Sequence, residues 1–248
     1  MKLWNHLLIL GLIFFAPLLF AKYEPWQAGD IILITTQGHT AQAIARAVPE
    51  FPYTHVGLLW PEDGQMMVLE VWQKVQKVSL ADFMDHQPSV GPMAVFRVRE
   101  LDQLARLHPR QFAQQMEKLY QQFARLEGKP YDDLYARHNT FYCSNFVQRL
   151  LNRILQQKIP SHPMQFKDAF WQGYFAKKGL STPPQGIKGI APGDFARSSL
   201  TKEIYCRLAP KENVAAIVKP SLAAPPQPCS KFFYPLPTFP SYPAPTLF

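Results

Sequence analysis

Apolar and polar positions follow two different periods along this chain, and the changes of period mark its elements. Asp30 to Thr36 is a nearly continuous β-branched run bounded by Gly29 and Gly38, which predicts a buried strand. Thr40 to Val48 reads as a short helix stopped by Pro49. Strands are predicted over Thr54 to Trp60 and Met66 to Trp72. They are joined by Pro61-Glu62-Asp63-Gly64, whose Asp-Gly pair is a hairpin signal. Val75 to Val78 and Met93 to Val98 give further strands. The period then changes: Phe112, Met116, Leu119, Phe123 and Leu126 recur at helical spacing within 110–126, and Gly128-Lys129-Pro130 ends the pattern. From Phe146 the apolar positions Val147, Leu150, Leu151, Ile154 and Leu155 trace one buried helical face. A helix over 165–178 and a last strand over 213–218 complete the expected elements. Strands first and helices after predict an α+β domain, an antiparallel sheet packed against helices.

The two ends read differently. Lys2 precedes an apolar run from Leu7 to Phe20, and Ala21 is a small residue at a cleavage point, so residues 1–21 have the form of a secretory signal peptide. The run is short for a membrane span, and an uncleaved anchor is the alternative reading. Residues 22–220 form the domain. Residues 221–248 are rich in proline and aromatics and are expected to be an extended tail. Export implies a periplasmic or extracellular protein, where two of the three cysteines can pair. A Cys206–Cys229 bridge would tether the tail and leave Cys143 as the free thiol.

The chain has 248 residues, 47% of them hydrophobic, enough for one core. A net charge of +8 suits an anionic partner surface, such as cell-wall polymer or phospholipid headgroups. The basic residues form no stripe, which argues against nucleic acid. His39, His86, His138 and His162 show no metal-ligand spacing, and no glycine-rich loop points to a phosphate, so no metal and no cofactor is expected.

The chemistry centres on Cys143, at the point where a polar aromatic stretch gives way to a helical pattern. At a helix N-terminus, unpaired N–H groups favour thiolate, and a lowered thiol pKa is expected. His55 is the candidate base, at the start of the first hairpin strand. Side chains alternate with period two, so either two-residue loop, Glu62-Asp63 or Asp63-Gly64, puts Glu70 on the same face as His55. Glu70 interrupts Met67-Val68-Leu69-Glu70-Val71-Trp72, where a buried carboxylate needs a partner such as an imidazole N–H. The Cys143 N–H is the first candidate oxyanion donor; Tyr53, Tyr142 or Gln37 could supply the second.

Taken in order, Gly29-Asp30-Ile31-Ile32, Tyr53-Thr54-His55-Val56-Gly57, the Glu70 strand, Gly128-Lys129-Pro130-Tyr131-Asp132 and Tyr142-Cys143-Ser144 resemble the YiiX/YaeF-like group. These are permuted papain-like cysteine hydrolases of the NlpC superfamily, distantly similar to lecithin–retinol acyltransferase. Ile190-Ala191-Pro192-Gly193-Asp194-Phe195 resembles a late segment of the group. The resemblance implies a circularly permuted papain-like fold, with Cys143 as nucleophile, His55 as base and Glu70 as orienting residue. Asn145 departs from it, since glutamate often stands there. Asp132 matches a motif position but reads as a turn or cap group.

The expected activity is that of an exported cysteine hydrolase cleaving an amide bond, with cell-wall peptide as substrate, through an acyl-thioester on Cys143. The alternatives are a lipid-directed esterase or acyltransferase of the same fold, and an inactive protein that binds wall or a partner.

Overall fold

The computed structural model describes residues 26–87, 90–135 and 140–210. The segment expected to be a leader, the strand expected over 213–218, the proline-rich residues after it and Cys229 lie outside the described residues. In chain order the elements are β1 (Ile31–Ile34), α1 (His39–Ala45), β2 (His55–Glu62), β3 (Gln65–Val71), β4 (Val75–Ser79), α2 (Leu80–Met84), β5 (Val90–Val98), α3 (Arg99–Leu107), α4 (Pro109–Leu126), α5 (Cys143–Ile154), β6 (His162–Pro163), α6 (Ala169–Lys177), β7 (Lys188–Gly189), α7 (Pro192–Arg197) and β8 (Thr201–Pro210).

Six strands form one antiparallel sheet in the order β4-β3-β2-β1-β5-β8, and β6 pairs with β7 apart from it. On one face Ile31, Leu33, Val56, Leu58, Leu69, Val71, Ala94 and Phe96 pack against Leu119 and Phe123 of α4, Phe146, Val147, Leu150 and Leu151 of α5, and Phe195 of α7. On the other, Ile32, Ile34, Leu59, Val68, Met93 and Val95 pack against Leu80, Phe83 and Met84 of α2. β1 is thus covered on both faces, which is why its sequence is apolar without alternation. A third cluster gathers Ala43, Tyr135, Tyr142, Phe166, Trp171 and Phe175 between α1 and α6.

Six elements were not expected from the sequence, α2, α3, β6, β7, α7 and β8, and three of them show why. The helix α2 is a single short turn with no room for a period, although its Ser79-x-x-Asp82 cap is written in the sequence: Ser79 Oγ accepts from the Asp82 N–H at 3.1 Å. α3 follows β5 without a break and buries only Leu101 and Asp102, too narrow a face to stand out. β8 is an edge strand whose apolar positions are interleaved with Lys202, Glu203 and Arg207.

A buried ion pair pins the start of β1 to β5. Arg97 donates through Nε to Asp30 Oδ1 at 2.8 Å and through Nη2 to Oδ2 at 2.7 Å. The Gln27 N–H also donates to Asp30 Oδ2, at 2.8 Å.

Candidate active site

The hairpin β2–β3 sets the site. Its loop is Asp63-Gly64, with positive φ at both residues (50° and 75°), the requirement of a two-residue type I′ turn. The register runs from Glu62↔Gln65 to Leu58↔Leu69 and ends there. Continued, it sets His55 level with Trp72, and His55 and Glu70 share the face that carries Phe83. His55 Nε2 lies 2.6 Å from Glu70 Oε2, with both side chains buried. Gly57 stands between them on the strand; a Cβ there would run into Val68 Cγ1 and sit 3.1 Å from Phe83 Cε2.

Glu70 has two further partners. Gln76 of β4 donates to Oε1 at 2.9 Å, and His86 Nε2, from the turn after α2, lies 3.2 Å from the same oxygen. Burial alone would raise the Glu70 pKa. The bonds from His55, His86 and Gln76 outweigh it and hold the carboxyl at about 2. Burial drives the His55 pKa below its usual value, against the pull of Glu70. The resting pair is therefore a carboxylate and a neutral imidazole. Because Nε2 faces an ionised acceptor it carries the proton, and the Nδ1 lone pair is left to accept another.

Cys143 is the first residue of α5, preceded by Tyr142 in extended conformation without a side-chain cap. The backbone N–H groups of Ser144 and Val56 face its sulfur and favour thiolate. Val56 is the next inward-facing residue of β2 beyond the last rung to β3, so the sulfur sits at the open end of that ladder, beside His55 in sequence. The Glu70 charge is felt there. Cys143 and His55 share no hydrogen bond in this geometry. The helix start is clamped by Ile190: Ser144 Oγ donates to its carbonyl at 2.6 Å, and its N–H donates to Tyr142 Oη at 3.2 Å. The segment Ile190 to Phe195, picked out in the sequence, thus holds both flanks of the cysteine.

The expected drop in the thiol pKa is corrected. Burial pushes Cys143 up to about 12 and overrides the Ser144 and Val56 N–H groups that favour thiolate. The helix start supplies donors, but the closed site excludes the water a thiolate would need. Tyr142 is also withdrawn as a free oxyanion donor, since its hydroxyl donates to Met164 Sδ at 3.7 Å. Gln37 is exposed in the loop before α1, and Tyr53 is buried in the main core. Asp132 behaves as a turn group: its Oδ1 accepts from the Leu134 N–H at 3.2 Å. Cys143 is a free thiol and Cys206 is disulfide-bonded.

Two surroundings were not legible in the sequence. Trp72 and His86 stack with centroids 3.8 Å apart, and His55 stacks on Phe83 at 5.2 Å. His55, Glu70 and His86 together offer one ligand atom each within 4.8 Å of one another, a cluster that could hold a cation. Sequence spacing does not reveal it, because the three residues come from two strands and a turn.

A family model described as "Permuted papain-like amidase enzyme, YaeF/YiiX, C92 family" matches residues 25–205. A crystal structure described as the metalloprotein YiiX from Escherichia coli O157:H7 superposes with a TM-score of 0.63 at 21% identity, covering 75% of this chain and 100% of that one. That likeness bears on the fold. No curated protein matches the sequence.

Proposed function

The chain belongs to the YaeF/YiiX family of permuted papain-like amidases, a family of cysteine hydrolases, and on that premise we propose that it cleaves an amide bond in cell-wall peptides after export. The observation that carries the chemistry is the buried His55–Glu70 pair at 2.6 Å, with the Cys143 sulfur beside Val56, the next residue of the same strand. Cys143 Sγ attacks the carbonyl carbon as His55 Nδ1 takes the thiol proton, and the carbonyl π electrons move onto oxygen. The Cys143 N–H is a donor for that oxyanion. The C–N bond then breaks and His55 returns the proton to the departing amine. Water, deprotonated by His55, attacks the thioester; the C–S bond breaks and the thiol regains its proton. Glu70 holds the tautomer and balances the imidazolium charge.

A neutral thiol and a neutral imidazole at rest make this general-base catalysis rather than attack by a preformed ion pair. The leader and the +8 charge support an exported protein working on an anionic polymer. The aromatic cluster around Tyr135 and Tyr142, beside the nucleophile, favours a second reading, acyl transfer from a lipid ester.

The test is to incubate the protein and a Cys143→Ala variant with muropeptides and with phospholipid, and to identify products by mass spectrometry. Amide cleavage in muropeptides, lost by at least ~10³-fold in the variant, is expected. Turnover of the ester alone would favour the lipid reading. Cleavage surviving in Cys143→Ala would remove the sulfur from the mechanism, and turnover of neither substrate would favour a binding protein.

A further inference from the structure

We propose that His55, Glu70 and His86 form a binding site for one divalent transition-metal ion of the zinc type, and that its occupancy switches the thiol chemistry off. The second half rests on the hydrolase reading above; the first stands without it.

The donor set is two imidazoles and a carboxylate, the composition of three-ligand zinc sites that keep a position open. One ligand atom from each residue lies within 4.8 Å of the others. Two donors each bonded to a tetrahedral ion at about 2 Å stand about 3.3 Å apart. The Glu70–His86 separation of 3.2 Å already has that value. His55 Nε2 lies 2.6 Å from the other carboxylate oxygen, Oε2, and that contact must open slightly as a hydrogen bond is exchanged for bonds to an ion.

The surroundings suit a metal. Gln76 donates to Glu70 Oε1 at 2.9 Å, His86 is stacked on Trp72, and His55 is stacked on Phe83, so the carboxylate and both rings have their orientations set. His55 is buried, but the His86 side chain is 18% exposed and Trp72 38%, which gives an ion a way in from solvent. A histidine serving only to steady Glu70 would be redundant beside Gln76 and His55.

The switch follows from the tautomer. A neutral imidazole has one nitrogen lone pair. In the resting pair it is on Nδ1, because Nε2–H faces Glu70. Coordination through Nε2 requires the lone pair there, so the proton moves to Nδ1 with no net release. A protonated Nδ1 cannot take the Cys143 proton, and the base is disabled while the fold is unchanged.

Zinc binding is measured on the chelator-treated protein by competition with a chromophoric indicator, for wild type, Cys143→Ala and His86→Gln. One equivalent bound equally by wild type and Cys143→Ala, and at least about 10-fold more weakly by His86→Gln, is expected. Zinc should raise the melting temperature of the first two and not the third. Cobalt bound to the wild type should give ligand-field bands of a nitrogen and oxygen site without a sulfur charge-transfer band, a readout that needs no variant. A sulfur band, or zinc lost in Cys143→Ala and kept in His86→Gln, would place the ion on the thiol and overturn the proposal. So would binding weaker than roughly 100 µM. For the switch, zinc should inhibit amide cleavage reversibly, with His86→Gln less sensitive by the factor it loses in affinity; equal sensitivity would overturn it. If neither protein cleaves any amide, the hydrolase reading fails while the zinc titration still decides the site.

Discussion

Glu70 carries the most consequence of any single residue. It is fully buried, it is ionised, and it holds His55, Gln76 and His86 together. Glu70→Gln keeps the shape but removes the negative charge, and turns into a donor one of the oxygens, that together fix the His55 tautomer. Amide hydrolysis should fall about 10²- to 10⁴-fold, measured as kcat/KM with protein verified as folded. The same residue sets acid stability. Its folded pKa, about 2, lies below its unfolded value of 4.5, so its contribution is present above pH 4.5 and is lost as pH falls toward 2. His55, also depressed, withholds a proton that the unfolded chain takes up below 6.5, which again costs stability on acidification. Urea unfolding should therefore show a plateau above pH 7 and a decline below it. Glu70→Gln should remove about 3 kcal/mol of the decline below pH 4.5. Cys143 titrates the other way: with its pKa at about 12, alkylation by iodoacetamide should be slow at pH 7 and still rising at pH 10. A plateau near neutrality would show that the thiol is not held neutral. At this scale the sequence was informative where a period exists. Two-residue alternation placed Glu70 with His55, but His86, in a turn after one helical turn, belongs to no period and could not be placed.

At the level of elements, the hairpin and α5 are the parts that make a site. The Asp63-Gly64 turn, β1 to β5 and α5 were all legible, because alternation, β-branching and turn chemistry agree there. α3 and β8 were not, because a narrow helical face and an edge strand carry too few apolar positions to exceed their charged neighbours. The tightest joint in the hairpin is Gly57, whose missing side chain lets Val68 and Phe83 close over the strand. Gly57→Ala should destabilise by about 1–3 kcal/mol through overpacking. It should also lower kcat/KM, because Phe83 is the ring on which His55 rests. Denaturant midpoints and initial rates on the same preparation check both. A loss of stability under roughly 0.5 kcal/mol would mean the neighbours yield freely.

For the whole molecule, the cysteines divide the labour. Cys206 on β8 is disulfide-bonded and Cys143 is free. Intact-mass analysis of denatured protein should find one alkylated cysteine without reductant and three after reduction. Two or more labelled without reductant would contradict the pairing. The order of motifs made the permuted papain-like arrangement legible. The high thiol pKa was not, because it arises from the packing of α5, β2 and the Ile190 segment around one sulfur.

The hairpin has a consequence in time. His55 and Glu70 are fifteen residues apart and meet by closing one tight turn, a local event that is fast and early in folding. Cys143 arrives much later in the chain, and its helix start is clamped by Ile190, later still. A partly synthesised or partly folded chain therefore has the His55–Glu70 pair without Cys143 beside it. The thiol is buried only when the domain around it is complete, so the burial that holds it neutral is the last feature of the site to form.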